Sequence, residues 1–156
     1  MPGIEVVTGF WRKLFGRRGD LTPAEAWLRQ RRDASPEAVI RQHFAAMAAH
    51  DLDWLLATMA PERARLYNDP RTLDKRRQTV MDARVLSVDQ VDGPVPFPSF
   101  AGRYQSRLAL KVEFELDLVE PEQRRDPTLR EGRGWSYYIL VSEGTGKPWL
   151  VADWGQ

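Results

Sequence analysis

The chain has no cysteine and only two histidines among its 156 residues. Without thiols there is no disulfide bond, no thiolate metal site and no cysteine nucleophile. His43 and His50 lie about 10.5 Å apart along a helix that rises 1.5 Å per residue, which is too far for both to bind one zinc ion. The sequence therefore predicts no metal site and no cofactor.

Long apolar runs and a strong net charge are also missing. No apolar stretch approaches the ~20 residues of a membrane span, and the first residues lack the pattern of a signal peptide. A formal net charge of +1 argues against a nucleic-acid partner, which normally requires a marked basic surplus. These absences predict a cytoplasmic protein whose length suffices for one domain with a buried core.

The first 20 residues differ from the remainder. Aromatic and aliphatic side chains between residues 10 and 15 would share one face of a short helix, and basic side chains would take the other. Such a helix can lie on an anionic membrane surface, or its aromatic rings can pack on the domain, which is the favoured interpretation. The segment can also be the remnant of a longer chain. We divide the chain into a basic amphipathic arm, residues 1–20, and a domain, residues 21–156.

Helix starts are visible in the first half of the domain. Thr22 is followed by Pro23 and Glu25, which together predict a capping box. Ser35 before a proline, and Asp51 before an apolar stretch, are typical of two further N-caps. We expect helices from residue 22 to about 33, from 35 through 47, from 51 to about 59, and from about 71 to 81.

The second half predicts strands at residues 84–91, 103–119, 135–142 and 149–154. One face of the long second strand is entirely apolar and comprises Leu108, Leu110, Val112, Phe114, Leu116 and Leu118. This face should pack on helices while the charged face meets water. A strand of this length twists and bends its sheet. We expect an α+β fold with helices packed in the concavity of a strongly curved, mainly antiparallel, cone-shaped sheet.

Two stretches carry a family resemblance over residues 35–156. An alanine-rich helix from Phe44 runs into His50-Asp51-Leu52-Asp53-Trp54-Leu55, and the chain closes with Pro148-Trp149-Leu150-Val151-Ala152-Asp153-Trp154-Gly155. The order and pattern resemble the nuclear transport factor 2-like superfamily, also called SnoaL-like or cystatin-like, especially its bacterial members of unknown function. The resemblance implies a curved sheet around a pocket, frequent homodimers, and roles from isomerases, dehydratases and polyketide cyclases to scaffolds.

The proton-transferring enzymes of that superfamily place Asp, Tyr or His in an apolar cone, so the resemblance implies three candidate catalytic residues, Asp153, Tyr104 and His43. On a regular strand Asp153 shares a face with Trp149 and Val151, which would set a general base beside aromatic walls. The favoured alternative for Asp153 is an ion pair with an arginine. For His43 it is a place on the surface or boundary of its helix.

The arginines considered for Asp153 are Arg103 and Arg107. Aromatic residues that sit where helices and sheet should meet are candidates for lining a pocket, because such pockets combine apolar walls with few polar groups. The candidate ligand-binding residues are Trp54, Tyr67, Tyr104, Trp135, Tyr137, Trp149 and Asp153. The same rings can instead simply fill the core.

Two surface features leave alternatives open. The proline-rich stretch from Gly93 to Phe100 is either a connector folded onto the domain or a lid or subunit contact. The acidic row Glu113, Glu115 and Asp117 is better explained by cross-strand pairing with Arg or Lys than by a bound cation.

Two classes of function remain. The favoured one is a non-enzymatic domain that binds a small ligand or serves as a dimerisation module or scaffold, because the sequence offers few polar residues that could act together in catalysis. The alternative is an isomerase-, dehydratase- or cyclase-type enzyme that transfers protons on a small apolar substrate. A homodimer formed through the sheet is expected in either case.

Overall fold

The computed structural model describes residues 20–69, 71 and 79–155. Within these residues the helices are α1 (Pro23–Gln30), α2 (Pro36–Ala48), α3 (Leu52–Ala57) and α4 (Pro61–Tyr67). The strands are β1 (Val80–Gln90), β2 (Ser106–Leu118), β3 (Gly132–Ser142) and β4 (Leu150–Gly155), and single 3-10 turns span Arg31–Asp33, Ser99–Arg103 and Pro121–Gln123. The predicted arm, residues 1–20, lies outside the described residues except for Asp20.

The predicted helix caps are confirmed. Thr22 and Glu25 form the full capping box of α1. Ser35 Oγ accepts the backbone N–H of Ala38 at 3.2 Å to begin α2, and Asp51 begins α3 by accepting a backbone N–H at 3.0 Å. Among the described residues no helix is long and apolar enough to cross a membrane.

Two helix boundaries differ from expectation. Helix α4 was not predicted, although Pro61 occupies the first-turn position that proline favours. Of the helix expected at 71–81, residues 72–78 lie outside the described residues, while Val80 and Met81 already belong to β1. Pairing of Val80 with Leu118 on β2 stabilises the extended conformation there.

The sheet is antiparallel in the order β1-β2-β3-β4. Within the described residues β1 and β4 do not pair with each other, so the sheet is open. Its inner face covers the main core, and the predicted register of β2 is confirmed. Four of the six apolar β2 residues are buried in this core and the other two pack against it: Leu108, Leu110, Val112, Phe114, Leu116 and Leu118. The α+β architecture of several helices and a four-stranded antiparallel sheet therefore holds.

A β-bulge in β4 changes which residues face the core. Ile139 of β3 pairs with Asp153 and Leu140 pairs with Val151, so that Ala152 is an extra residue. Beyond the bulge Trp154 returns to the main core. The expectation that Asp153 shares a face with Trp149 and Val151 is therefore wrong, because strict alternation holds only in a regular strand.

The outer face of the sheet is only partly open to water. Ala109, Ile139 and Val141 form a second buried cluster there, and Val95 and Phe100 from the proline-rich stretch pack against it. That stretch is thus folded onto the domain, and the expectation that the entire charged face of β2 meets water is wrong at this end.

The acidic row lies at the other end of the outer face. Arg84 of β1 binds Glu115 opposite it and lies 3.6 Å from Asp117. The prediction of cross-strand pairing is confirmed for these two residues. Because these side chains are one third to one half exposed, solvent screens the pairs and each contributes little to stability.

Candidate functional site

A cavity of about 410 Å³ lies between α2, the inner face of the sheet and the loop that joins β2 to β3. Its described lining includes the aromatic side chains Phe44, Tyr67, Phe114, Tyr138 and Trp154 together with His43. No Asp, Glu, Lys or Arg occurs in that lining, and no three His, Asp or Glu residues of the described chain cluster as metal ligands. The volume is within the range of small-molecule sites, roughly 300–1,000 Å³.

One wall of the cavity is a loop that hydrogen bonds hold against the sheet. Thr128 and Leu129 of this loop line the cavity. The backbone N–H groups of Arg125 and Asp126 both donate to Thr79 Oγ1 at 3.1 Å, just before β1 begins. These bonds fix the loop although it contains no long helix or strand. No role was predicted for it from the sequence.

His43 is the central polar residue of the cavity. It is 1% exposed, so the interpretation of this residue as a surface or boundary residue is wrong. Its Nδ1 lies 2.8 Å from Thr58 Oγ1, and the Thr58 hydroxyl donates its single proton to Leu55 O at 2.6 Å. Nδ1 must therefore carry the proton of the His43–Thr58 bond. In the neutral ring Nε2 then has the lone pair.

Thr58 is itself fixed by the neighbouring strand. The backbone N–H of Val151 donates to Thr58 O at 2.8 Å, and the N–H of Ala60 donates to Val151 O at 2.8 Å. These two bonds attach the end of α3 to the edge of β4. The Thr58 hydroxyl sets the tautomer of His43, and backbone pairing with β4 holds Thr58 in place.

Aromatic rings surround the imidazole. The ring centroids of Tyr138 and Trp154 lie 5.7 and 5.6 Å from that of His43, and these two rings stack with centroids 6.0 Å apart. Tyr67 meets Trp154 edge-on at 5.8 Å. Such ring pairs limit side-chain motion, so they make a stiff cavity wall.

Of the predicted ligand-binding residues, only Tyr67 is part of the described cavity lining. Trp54 instead donates its indole N–H to Gln42 Oε1 at 2.9 Å, on the helical side of the domain. Trp135 and Tyr137 pair with each other at 5.2 Å on the outer face of the sheet. Trp149 borders a separate depression at the β3–β4 turn.

The other two predicted site residues lie on the outer side near α4. Asp153 accepts from Arg63 at 2.9 Å, so the predicted ion pair exists but with neither Arg103 nor Arg107. Tyr104 donates to Glu62 Oε1 at 2.7 Å. The structure therefore separates Asp153 and Tyr104 from His43, and the three candidate catalytic residues form no common site.

Glu62 joins Tyr104 to the charges around it. Burial raises the pKa of Glu62, but the Tyr104 hydrogen bond and the nearby Arg103 and Arg65 outweigh this effect and leave the pKa below its ordinary value. Burial and the bond to Glu62 raise the pKa of Tyr104 well above its ordinary value. Tyr104 thus stays protonated as a donor, and Glu62 stays ionised at neutral pH.

Three of the lining residues that were not predicted as site residues show why the sequence missed them. Trp154 falls on the wrong face under strict alternation, so no local signal identifies it. Ser136 alternates with Tyr138 on β3, and both lie opposite β2 residues of the inner face, Val112 and Leu110. Phe114 belongs to the predicted core face and was identifiable only as a core residue.

Comparisons with solved structures identify two related folds. A solution structure of a SEC-C motif containing protein from Rhodopseudomonas palustris is 23% identical, with 83% of this chain and 85% of that chain covered and a TM-score of 0.50. A crystal structure of a SEC-C motif containing protein from Psychrobacter arcticus is 16% identical, with coverage of 85% and 67% and a TM-score of 0.50. No protein-family model and no curated protein matches the chain.

These findings correct the family expectation. The solved structures that share the fold are SEC-C motif containing proteins, and neither comparison supports the nuclear transport factor 2-like, SnoaL-like or cystatin-like assignment. Helices followed by antiparallel strands are common to many families, so their order alone did not identify one. At these identities the likeness shows the fold alone.

The bond between Tyr104 and Glu62 generates a pH-dependent prediction. We expect Tyr104→Phe to lower the free energy of unfolding by about 1–2 kcal/mol at pH 7, because a charge-assisted hydrogen bond is lost from a partly exposed site. Folding lowers the pKa of Glu62, so its stabilising effect exists above its ordinary pKa of about 4.3 and is lost as pH falls through the folded value. The effect of the substitution should therefore shrink below about pH 4.

Denaturant unfolding at pH 7 and pH 3 measures this difference. Tyr137→Phe is the matched control, because Tyr137 is half-buried on the outer face of the same sheet. An equal loss of stability at both pH values would contradict the role given to ionised Glu62.

Proposed function

We propose that this chain binds a small, ring-containing molecule in the cavity beside His43. The observation that carries the proposal is the cavity itself, about 410 Å³ walled by five aromatic side chains and a buried histidine. Apolar walls with a few fixed polar groups are the usual composition of small-molecule sites. A merely structural core is packed to about 0.75 of its volume and leaves few voids larger than a water molecule.

The curvature expected of the sheet belongs to the same proposal. A strongly curved, cone-shaped sheet would enclose the ligand between its concave face and α2. A register shift in β1 between Val85 and Ser87 supports local bending, because bulges increase strand twist. An experimental structure with a flat sheet would contradict this part of the proposal.

Filling the cavity should abolish binding. We expect Leu129→Trp to raise the Kd of an uncharged bicyclic probe such as 2-naphthol at least about tenfold, because the larger side chain would occupy the space next to Tyr138. Calorimetry gives the Kd, and NMR shifts of the Trp154 indole N–H locate the probe.

Leu86→Trp is the matched control for this experiment. Leu86 lies on β1 and is 38% exposed, so the same substitution there should change the Kd less than twofold. A wild-type protein whose Trp154 signal does not shift with any uncharged bicyclic probe would contradict the proposed function.

A second candidate function is proton transfer, and the fixed tautomer of His43 favours it. A neutral imidazole whose Nδ1–H is bound to Thr58 has its lone pair on Nε2, which is the arrangement of a general base. The surrounding rings supply the apolar setting in which such bases act. Asp153 and Tyr104 lie away from His43. Apart from the tyrosines, His43 is therefore the one titratable group on the described lining that this reaction could use.

Exchange of the α-protons of 2-tetralone in D₂O tests the second candidate. If His43 is the base, the protein should accelerate exchange at least about 10²-fold over buffer, and His43→Gln should remove the acceleration. His50→Gln is the control, since His50 Nε2 lies 2.6 Å from Val80 O in the part of the fold where β1 begins. Exchange at the buffer rate would contradict catalysis of this type.

We further propose a homodimer through the outer face of the sheet. Trp135 is 37% exposed there, and Lys111 Nζ lies 5.1 Å from the centre of its ring. Exposed aromatic residues are enriched at subunit contacts, which supports a symmetric pairing of this face.

Light scattering at micromolar concentration tests the dimer. The wild type should give twice the 18.0 kDa of one chain, and Trp135→Glu should give the single-chain mass because it would bring like charges together across the symmetric contact. Leu66→Glu is the control, because Leu66 is 64% exposed on α4. A wild-type mass of one chain would contradict the proposal.

A further inference from the structure

We propose, on the basis of the ligand-binding function proposed above, that the cavity selects an uncharged flat ring molecule that carries a hydroxyl or N–H hydrogen-bond donor. Phenol-, indole- and hydroxylated bicyclic compounds belong to this class. Carboxylates, ammonium compounds and rings with acceptors alone do not.

The exclusion of charged ligands follows from the lining. Its described residues include no Asp, Glu, Lys or Arg, and His43 is the one histidine among them. Arg63 lies close to one lining residue, with its guanidinium 5.6 Å from the centre of the Trp154 ring. That group already donates to Asp153 Oδ1 at 2.9 Å and Ala152 O at 2.8 Å. While His43 is neutral, a charged ligand would therefore find no oppositely charged side chain on the described lining, which is strongly unfavourable.

The preference for a donor follows from how the lining hydroxyls use their protons. Ser136 Oγ lies 3.1 Å from Gly155 O and 3.2 Å from Tyr137 O, and both carbonyls can only accept. Thr128 Oγ1 donates to the Asp126 carboxylate. Each hydroxyl has one proton, so both offer only lone pairs to a ligand.

The remaining polar groups are compatible with the same preference. His43 uses its Nδ1 proton on Thr58, so the other ring nitrogen is an acceptor in the neutral form. The acceptor character of Ser136 and Thr128 therefore decides which ligand is preferred.

The flat shape follows from two ring pairs. The Tyr138 and Trp154 rings are inclined by 26°, and Phe44 and Phe114 are inclined by 37° with centroids 5.5 Å apart. The first pair is stacked and the second is tilted, and planar molecules stack on aromatic faces at offset geometry.

A matched series of naphthalene derivatives tests each element of the inference at pH 7. 2-Naphthol supplies a donor, 2-methoxynaphthalene keeps the ring but lacks the donor, 2-naphthoate adds a negative charge, and 2-naphthylmethylamine adds a positive charge. We expect 2-naphthol to bind about 3- to 10-fold more tightly than 2-methoxynaphthalene. Both charged compounds should bind at least about 100-fold more weakly than 2-naphthol.

Ser136→Ala tests one of the two residues that decide the preference. The ratio of the two Kd values, 2-methoxynaphthalene to 2-naphthol, should fall toward one in this variant. Ser142→Ala is the matched control, because Ser142 is also buried on the same strand and its hydroxyl donates to the Gly144 and Lys147 carbonyls away from the cavity. The control should keep the wild-type ratio.

The outcomes separate the two proposals. Equal or tighter binding of 2-methoxynaphthalene, or tight binding of either charged compound, would overturn the ligand class while leaving the binding function in place. No binding of any member to the wild type would overturn the binding function and the ligand class together. The wild-type series decides the ligand class even if Ser136→Ala does not fold.

Discussion

The packing of α2 across the inner face of the sheet is the constraint on which the rest of the structure depends. Val39, Ile40 and Phe44 of α2 are buried in the same core as the apolar face of β2, and the ring centroids of Phe44 and Phe114 lie 5.5 Å apart. Full burial of a side chain of this size stabilises the fold by about 1.5–3 kcal/mol. The helix caps and the order of the strands position these two apolar faces so that they can pack together.

The cavity lies where the apolar packing between α2 and the sheet includes a polar side chain. His43 lies on α2 next to Phe44, and both line the cavity, but the imidazole requires a hydrogen-bond partner that an aliphatic core cannot supply. Thr58 provides it because the end of α3 is attached to β4 by backbone bonds. The aromatic rings then surround the imidazole, so a polar group is held in a defined orientation at the edge of an apolar core.

A second set of polar contacts stabilises the opposite side of the sheet. The bonds from Arg63 to Asp153 and from Tyr104 to Glu62 attach α4 and the 3-10 turn at Ser99–Arg103 to the outer side. Asp153 and Tyr104 are thereby engaged in structural contacts away from His43. This division supports the binding function proposed above over chemistry that needs several convergent titratable groups.

Local sequence determined the helix starts, the apolar face of β2 and the antiparallel order, because caps and alternating patterns act over a few neighbouring residues. Tertiary structure decided the site. The bulge at Ala152 placed Trp154 in the cavity and Asp153 outside it, and such an insertion depends on pairing with another strand. The burial of His43 depends on α3, β3 and β4 together. The order of helices and strands did not identify the family. Residues distant in sequence meet only when the whole core packs, so their positions had no local signal.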